Sequence, residues 1–232
     1  MPTLLITGAN RGIGLEITRQ YAADGWDVLA CCRSPENAHE LNKLAAATKG
    51  GVSVCLLDVA NDAQRQALAA QLKGQPIDIL FNSAGVSGNW ATQSFGHCKT
   101  DEWLEVMRIN VITPMLMMQD FAANVALSEH KIIANMSSKM GSVADNTSGG
   151  SYLYRSSKAA LNMVTVSAAH DLARRKIAVV ALHPGWVRTD MGGPNGELSV
   201  EESVTALKRN LAKVAFADSG RFIDIDGGDI PW

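Results

Sequence analysis

No apolar run in this 232-residue chain approaches the ~20 residues that a membrane-spanning helix needs. A basic stretch followed by an apolar segment and a cleavage site is also missing from the start, where Gly8, Asn10 and Arg11 interrupt the first hydrophobic residues. The expectation is a cytoplasmic protein with no membrane span. Two matches to the glycosylation pattern, Asn135-Met136-Ser137 and Asn146-Thr147-Ser148, are therefore read as accidental. No run of like charges occurs and the formal net charge is −2, which argues against a nucleic-acid partner. The four cysteines, Cys31, Cys32, Cys55 and Cys98, show no metal-ligand spacing and are too few to staple a chain of this length. Reduced, mostly buried thiols and no metal site are expected. Internal repeats and low-complexity segments are absent as well.

What is present is a hydrophobic content of 47%, enough for a sizeable core in a single α/β domain over residues 1–232. Apolar and β-branched runs predict strands at 3–7, 26–32, 51–57, 77–81, 131–136, 176–182 and 220–225. Helical patterns fall between them, beginning near Gly12 and then at 36–48, 60–72, 100–127 with a kink at Pro114, 152–174 and 199–215. Strands alternating with helices imply a doubly wound, seven-stranded and mostly parallel sheet with helices on both faces. Its ligand crevice belongs at the carboxyl ends of the strands. The segments 85–99, 139–151 and 192–196 each follow a predicted strand at that edge.

The first strand runs directly into Thr7-Gly8-Ala9-Asn10-Arg11-Gly12-Ile13-Gly14. Glycines at 8, 12 and 14 let the backbone turn tightly and approach a pyrophosphate, while the following helix offers unpaired N–H groups and a positive dipole end. The spacing is Gly-x-x-x-Gly-x-Gly, so the Gly-x-Gly-x-x-Gly fingerprint of long-chain dehydrogenases is not met. Further on, Tyr154 and Lys158 stand four residues apart on one predicted helix, ~6 Å along its axis and on nearly the same face. A neighbouring ammonium favours the phenolate, so the expectation is a tyrosine brought from ~10 towards neutral pH as a proton donor. Spacing alone more often means an amphipathic surface tyrosine and a solvated lysine.

Taken together, these motifs resemble those of the short-chain dehydrogenase/reductase family: Thr-Gly-x-x-x-Gly-x-Gly at 7–14 and Tyr-x-x-x-Lys at 154–158. Asn82-Ser83-Ala84-Gly85 is similar to the family's Asn-Asn-Ala-Gly, with serine at the second position. Asp58-Val59, Asn110, Ser137-Ser138 and Pro184-Gly185 follow in the family's order. The resemblance implies a Rossmann fold and a catalytic tetrad of Asn110, Ser138, Tyr154 and Lys158, with Ser138 preferred over Ser137 as the second serine of its pair. Ser138 would hydrogen-bond the substrate oxygen, Lys158 would also hold ribose hydroxyls, and Asn110 would anchor a water leading from Lys158 to solvent. For cofactor binding it implies Gly8, Asn10, Arg11, Gly12, Ile13 and Gly14, with Asp58 and Val59 at the adenine and Asn82, Ala84 and Gly85 further along. Tyr154, Lys158, Pro184, Gly185, Val187 and Thr189 complete that set around the nicotinamide half.

The second strand ends Cys31-Cys32-Arg33, without the carboxylate that would accept ribose hydroxyls, and Arg11 offers a second guanidinium for a 2′-phosphate. NADP(H) is the expected cofactor. Trp90, Phe95, Met140, Trp186 and Met191 lie in the expected substrate loops and suit a small apolar carbonyl compound. Nearly the whole chain resembles the carbonyl reductase branch, which includes sniffer-like and C-factor-like proteins. The leading expectation is an NADPH-dependent reductase of an aldehyde, ketone or quinone. The alternative is a nucleotide-binding signalling or regulatory protein of the C-factor type with little turnover. Family members pair the helices that correspond to 100–127 and 152–174 across a two-fold axis, which implies a homodimer or homotetramer.

Overall fold

Short, mostly apolar runs form the strands of a single sheet, buried throughout in its central strands and partly exposed at the β3 edge. They are β1 (Thr3–Thr7), β2 (Asp27–Cys32), β3 (Val52–Leu56), β4 (Ile79–Asn82), β5 (Ile132–Met136), β6 (Ala178–Leu182) and β7 (Phe222–Ile223) in the computed structural model, which describes residues 1–232. Ala178-Val179-Val180-Ala181-Leu182 is buried throughout, the mark of a strand covered by helices above and below. The order is β3-β2-β1-β4-β5-β6-β7, and every neighbouring pair is parallel. The chain therefore leaves β1 towards one edge and returns through β4 towards the other, and the crevice opens at the carboxyl ends between them.

Seven α-helices connect the strands: α1 (Gly12–Ala23), α2 (His39–Ala47), α3 (Asp62–Gln71), α4 (Thr100–Met107), α5 (Thr113–Ala126), α6 (Tyr152–Asp171) and α7 (Val200–Leu211). Leu4 and Ile6 of β1 face a core that includes Ile17 of α1, Leu41 of α2 and Leu207 of α7. Leu5, between them in sequence, faces Leu68 of α3, Phe121 of α5 and Ala168 of α6. The alternation along one strand thus divides the helices into two layers. Of the cysteines, Cys31 and Cys32 are buried, Cys55 is half-buried and Cys98 is exposed.

Two elements differ from expectation. The stretch 100–127 is not one kinked helix: a π-helical turn at Arg108–Ile112 separates α4 from α5. Pro114 has no N–H to give the Asn110 carbonyl four residues back, so the regular ladder cannot run through this point and the turn widens. The last strand keeps only two residues, because Asp224 closes a turn by donating its N–H to Gly228 at 2.8 Å, with Gly227 in the left-handed region. No helix is long and apolar enough to cross a membrane.

Arg65 secures the loop that follows β3. Its guanidinium donates to the Val59 carbonyl at 2.9 Å and to Asp120 on α5 at 3.1 Å, and it pairs with Asp62 at 2.9 Å, while being almost fully buried. Removing one member of such a set leaves the others desolvated and unpaired. Arg65→Met is expected to lower the unfolding free energy by about 3 kcal/mol, as measured by urea denaturation.

Candidate active site

Tyr154 and Lys158 occupy the first two turns of α6, both buried, with the lysine Nζ 5.6 Å from the centre of the tyrosine ring. Lys158 Nζ donates to the Met136 carbonyl at the end of β5, 2.8 Å away. The chain then passes through Ser137 and Ser138 into a short turn at Lys139–Gly141. That turn lies against α6 so closely that a Cβ at Gly141 would come within 2.7 Å of the Lys158 Cβ and backbone. The two serines are separated by this packing. Ser137 Oγ donates to Asn162 of α6 at 2.5 Å, whereas Ser138 Oγ accepts from Met140 N at 3.2 Å and lies beside the Tyr154 phenol. The edge of Trp90 covers the tyrosine from the other side, with ring centres 5.6 Å apart.

Burial, not the lysine, dominates the tyrosine. It pushes the Tyr154 phenol up to about 12, with the Ser138 hydroxyl pulling the other way. The expected drop towards neutral pH is therefore corrected: withdrawing the phenolate from water outweighs the Ser138 hydrogen bond, and burial also brings the Lys158 ammonium down to about 8. At neutral pH the phenol keeps its proton.

Asn110, in the π-helical turn, is consumed by structure on its side chain. Its Oδ1 accepts from Val86 N at 2.9 Å, and its Nδ2 donates to the Val86 carbonyl at 2.8 Å and to Ser157 Oγ at 3.0 Å. Gly85 lies between these groups, since a Cβ there would stand 3.2 Å from Asn110 Oδ1 and 3.7 Å from Lys158 Nζ. Asn82 is turned into the sheet, donating to Asn135 Oδ1 at 2.8 Å while its own Oδ1 has no partner. Ala84 N and Ser83 N both donate to Thr7 Oγ1, at 3.0 and 3.1 Å, which draws the end of β4 against the glycine turn.

That turn has the form of an anion cradle. Gly8 adopts φ +70° with Ala84 so near that a Cβ would meet its Cα at 2.9 Å, and a Cβ on Gly14 would meet the Gly8 carbonyl oxygen at 2.2 Å. Gly12 at φ +54° has open space instead, its nearest neighbour being Thr189 Cγ2 at 3.8 Å. No side chain caps α1 and no acid lies in its first turn, so its N–H groups remain available to phosphate oxygens. Residues 8–14 thus fit a pyrophosphate. Ile13 packs on the core, and Asn10 is exposed.

The loop after β6 completes the far wall. The Pro184 carbonyl accepts from Ser203 at 2.6 Å, Gly185 is left-handed with Leu198 packed against it, and Val187 is buried in a one-residue pairing with Leu198. Thr189 Oγ1 accepts from Gly192 N at 3.0 Å. Arg11 reaches across to Asp190 at 2.6 Å, both side chains being more than two-thirds exposed, while Arg33 is exposed just beyond β2. Asp58 Oδ1 accepts from Ala60 N at 3.0 Å, and the neighbouring Val59 is buried. Tyr152 stands outside the pair, partly exposed beside Phe95.

Sequence reasoning did not single out Gln93, Ser157, Asn162 and Asp190. A usable signal existed for one of them, because Tyr154, Lys158, Asn162 and Thr165 follow each other at helical spacing as a polar stripe on a buried face. Gln93 and Asp190 belong to loops and carry no periodic mark.

Comparison with known proteins bears on the family and the fold. The family model described as short chain dehydrogenase matches residues 2–198. The C-signal protein of Myxococcus xanthus is 38% identical over 167 residues, covering 72% of this chain and 99% of that protein. The carbonyl reductase Sniffer of D. melanogaster superposes with a TM-score of 0.93 at 31% identity, over 100% of both chains. The NADPH-bound carbonyl reductase from chicken fatty liver gives 0.92 at 34% identity, over 100% of this chain and 99% of that one.

Holding the Lys158 ammonium charged in its buried position costs about 3 kcal/mol at neutral pH. The unfolded chain keeps this proton up to the ordinary lysine value and the folded chain only to about 8. Folded stability therefore rises with pH between those two values. Lys158→Met is expected to be more heat-stable than the wild type at pH 7, and the difference should shrink as the pH is raised through that window, as followed by thermal unfolding.

Proposed function

Because this chain belongs to the short-chain dehydrogenase family, we propose that it reduces a small apolar aldehyde, ketone or quinone to the alcohol with NADPH, Tyr154 delivering the proton. The observation that carries this reading is the buried Tyr154 and Lys158, one helical turn apart beside Ser138, at the crevice that the glycine cradle also faces. Bound NADPH supplies the hydride. Tyr154, kept protonated by burial, gives its proton to the carbonyl oxygen as that oxygen becomes an alkoxide. Ser138 is the serine for this reading, since its hydroxyl lies beside the phenol while Ser137 is committed to Asn162. It hydrogen-bonds the same oxygen and shares the developing charge. Lys158 lies near enough to support the phenol, and it is assigned to the ribose hydroxyls. The Asn110 side chain is occupied, so its main-chain carbonyl, to which Pro114 cannot donate, is assigned to a water leading from Lys158 to solvent.

For the nucleotide, residues 8–14 hold the pyrophosphate, and Asp58 and Val59 border the adenine. Arg33 receives the 2′-phosphate together with Arg11, which must then leave Asp190. Ala84 and Gly85 line the ribose side, Asn82 supports them from within the sheet, and Pro184, Gly185, Val187 and Thr189 flank the nicotinamide. Trp90, Met140, Trp186 and Met191 shape the substrate end. We assign the whole of 1–232 to this one nucleotide-binding unit and place it in the cytoplasm as a homodimer or homotetramer.

The likeness to C-signal favours the second reading, a nucleotide-dependent signalling protein with little turnover. A binder of that kind has no use for an ammonium buried at a cost to stability beside a protonated phenol. The reductase reading uses both.

Tyr154→Phe is expected to lower NADPH oxidation on a panel of aldehydes, ketones and quinones about 10²- to 10⁴-fold, with NADPH binding retained in a fluorescence titration. An unchanged rate removes the acid. Replacing Arg11 and Arg33 together by alanine is expected to weaken NADPH binding about ten-fold or more, while NADH binding stays near its original value.

A further inference from the structure

Helix α6 starts without a cap of its own. Ser151, at the N-cap, lies in the left-handed region at φ 49°, and its side chain accepts nothing from the first turn. Gln93, from the loop after β4, takes that place. Its main-chain carbonyl accepts from Tyr152 N at 3.1 Å and its Oε1 from Tyr154 N at 3.0 Å. Its Nε2 donates to the Ser87 carbonyl at 2.7 Å, and the residue is only 1% exposed. Both ends of one buried amide thus join the first turn of α6 to the segment that leaves the sheet at Gly85.

The turn that delivers Gln93 is anchored as well. Glu102 of α4 accepts from Asn89 N at 2.7 Å and from the Thr92 hydroxyl at 2.5 Å. Trp90, inside this turn, is the ring that meets Tyr154 edge-on.

We propose that Gln93 is a positioning residue for the proton donor: it holds the first turn of α6 so that the Tyr154 phenol stays between Trp90 and Ser138. This rests on Tyr154 being the acid. Tyr154 is the third residue of α6 and moves if that turn frays, whereas Lys158 lies one turn deeper and is tied separately to Met136. Loss of the cap therefore affects the chemical step and spares nucleotide binding.

The test compares Gln93→Met, which removes both side-chain bonds, with Gln93→Glu. A buried carboxyl is protonated at acid pH and then offers one donor and one acceptor, as the amide does; once ionised it can no longer donate to Ser87. Gln93→Met is expected to lower kcat about 10- to 100-fold with NADPH affinity unchanged. Amide hydrogen exchange at Tyr154 should quicken, and that at Lys158 should not. Gln93→Glu should restore most of kcat at acid pH and lose it as the pH rises, adding an ionisation absent from the wild-type profile. The proposal is overturned if Gln93→Met keeps the wild-type kcat and Tyr154 exchange, if it loses NADPH affinity in step with kcat, or if Gln93→Glu shows no pH-dependent recovery. Should Gln93→Met not fold, the pH profile of Gln93→Glu decides alone. Tyr154→Phe run alongside separates the readings, because an active Tyr154→Phe overturns the acid, whereas an inactive one beside a fully active Gln93→Met overturns the role of Gln93 only.

Discussion

Helix α6 presses a line of polar side chains against the sheet alongside its buried leucines and alanines, and each polar group has to find a partner away from water. Lys158 reaches the Met136 carbonyl, Asn162 meets Ser137 and Gly141, and Thr165 accepts from Asn135, which in turn accepts from Asn82 of β4. An unpaired group in that layer costs about 1–3 kcal/mol, so the chain has little freedom in how α6 meets β5. The consequence reaches the surface at the carboxyl edge. With Ser137 drawn under α6, Ser138 is the serine that remains at the phenol, and Gly141 is required where the turn crosses the helix backbone. The arrangement of side chains around Tyr154 is thus a by-product of satisfying a buried polar layer.

The glycine turn after β1 is organised by a different constraint, that of close backbone approach. Gly8 and Gly14 occupy positions where any Cβ would strike main-chain atoms, and Thr7 pulls the end of β4 down against them. Only Gly12 faces open space, and that space lies over the uncapped end of α1. The loop after β6 then arches back, placing Thr189 near Gly12 and Asp190 against Arg11. Both halves of the crevice therefore belong to strands that leave the switch point in opposite directions, which is why residues nearly 180 apart in sequence come to share one wall.

Much of this was legible in the sequence. The strands announced themselves as apolar runs, the glycine turn by its position after the first of them, and the Tyr154 and Lys158 pair by its likeness to the family's Tyr-x-x-x-Lys motif, which helical spacing alone would not have singled out. Other features were hidden for physical reasons. The break in 100–127 follows from a missing N–H at Pro114, yet its resolution as a π-helical turn depends on Asn110 reaching Val86 and Ser157. Gln93 lies in an irregular loop, 61 residues before the backbone N–H it caps. The ionisation of Tyr154 went the other way from expectation because spacing reports a neighbouring charge but says nothing of how much water remains around the ring.

Local order in this chain follows from periodicity, turn residues and steric rules that act between near neighbours, so the sequence by itself determined the alternation of strands and helices, the place of the crevice and the types of group available at it. Tertiary packing decided which serine remains beside the phenol, what caps the helix that bears Tyr154, and which of its two charge states that residue holds. These outcomes depend on desolvation and on partners brought together from distant segments, and both exist only once α6 has docked on the sheet.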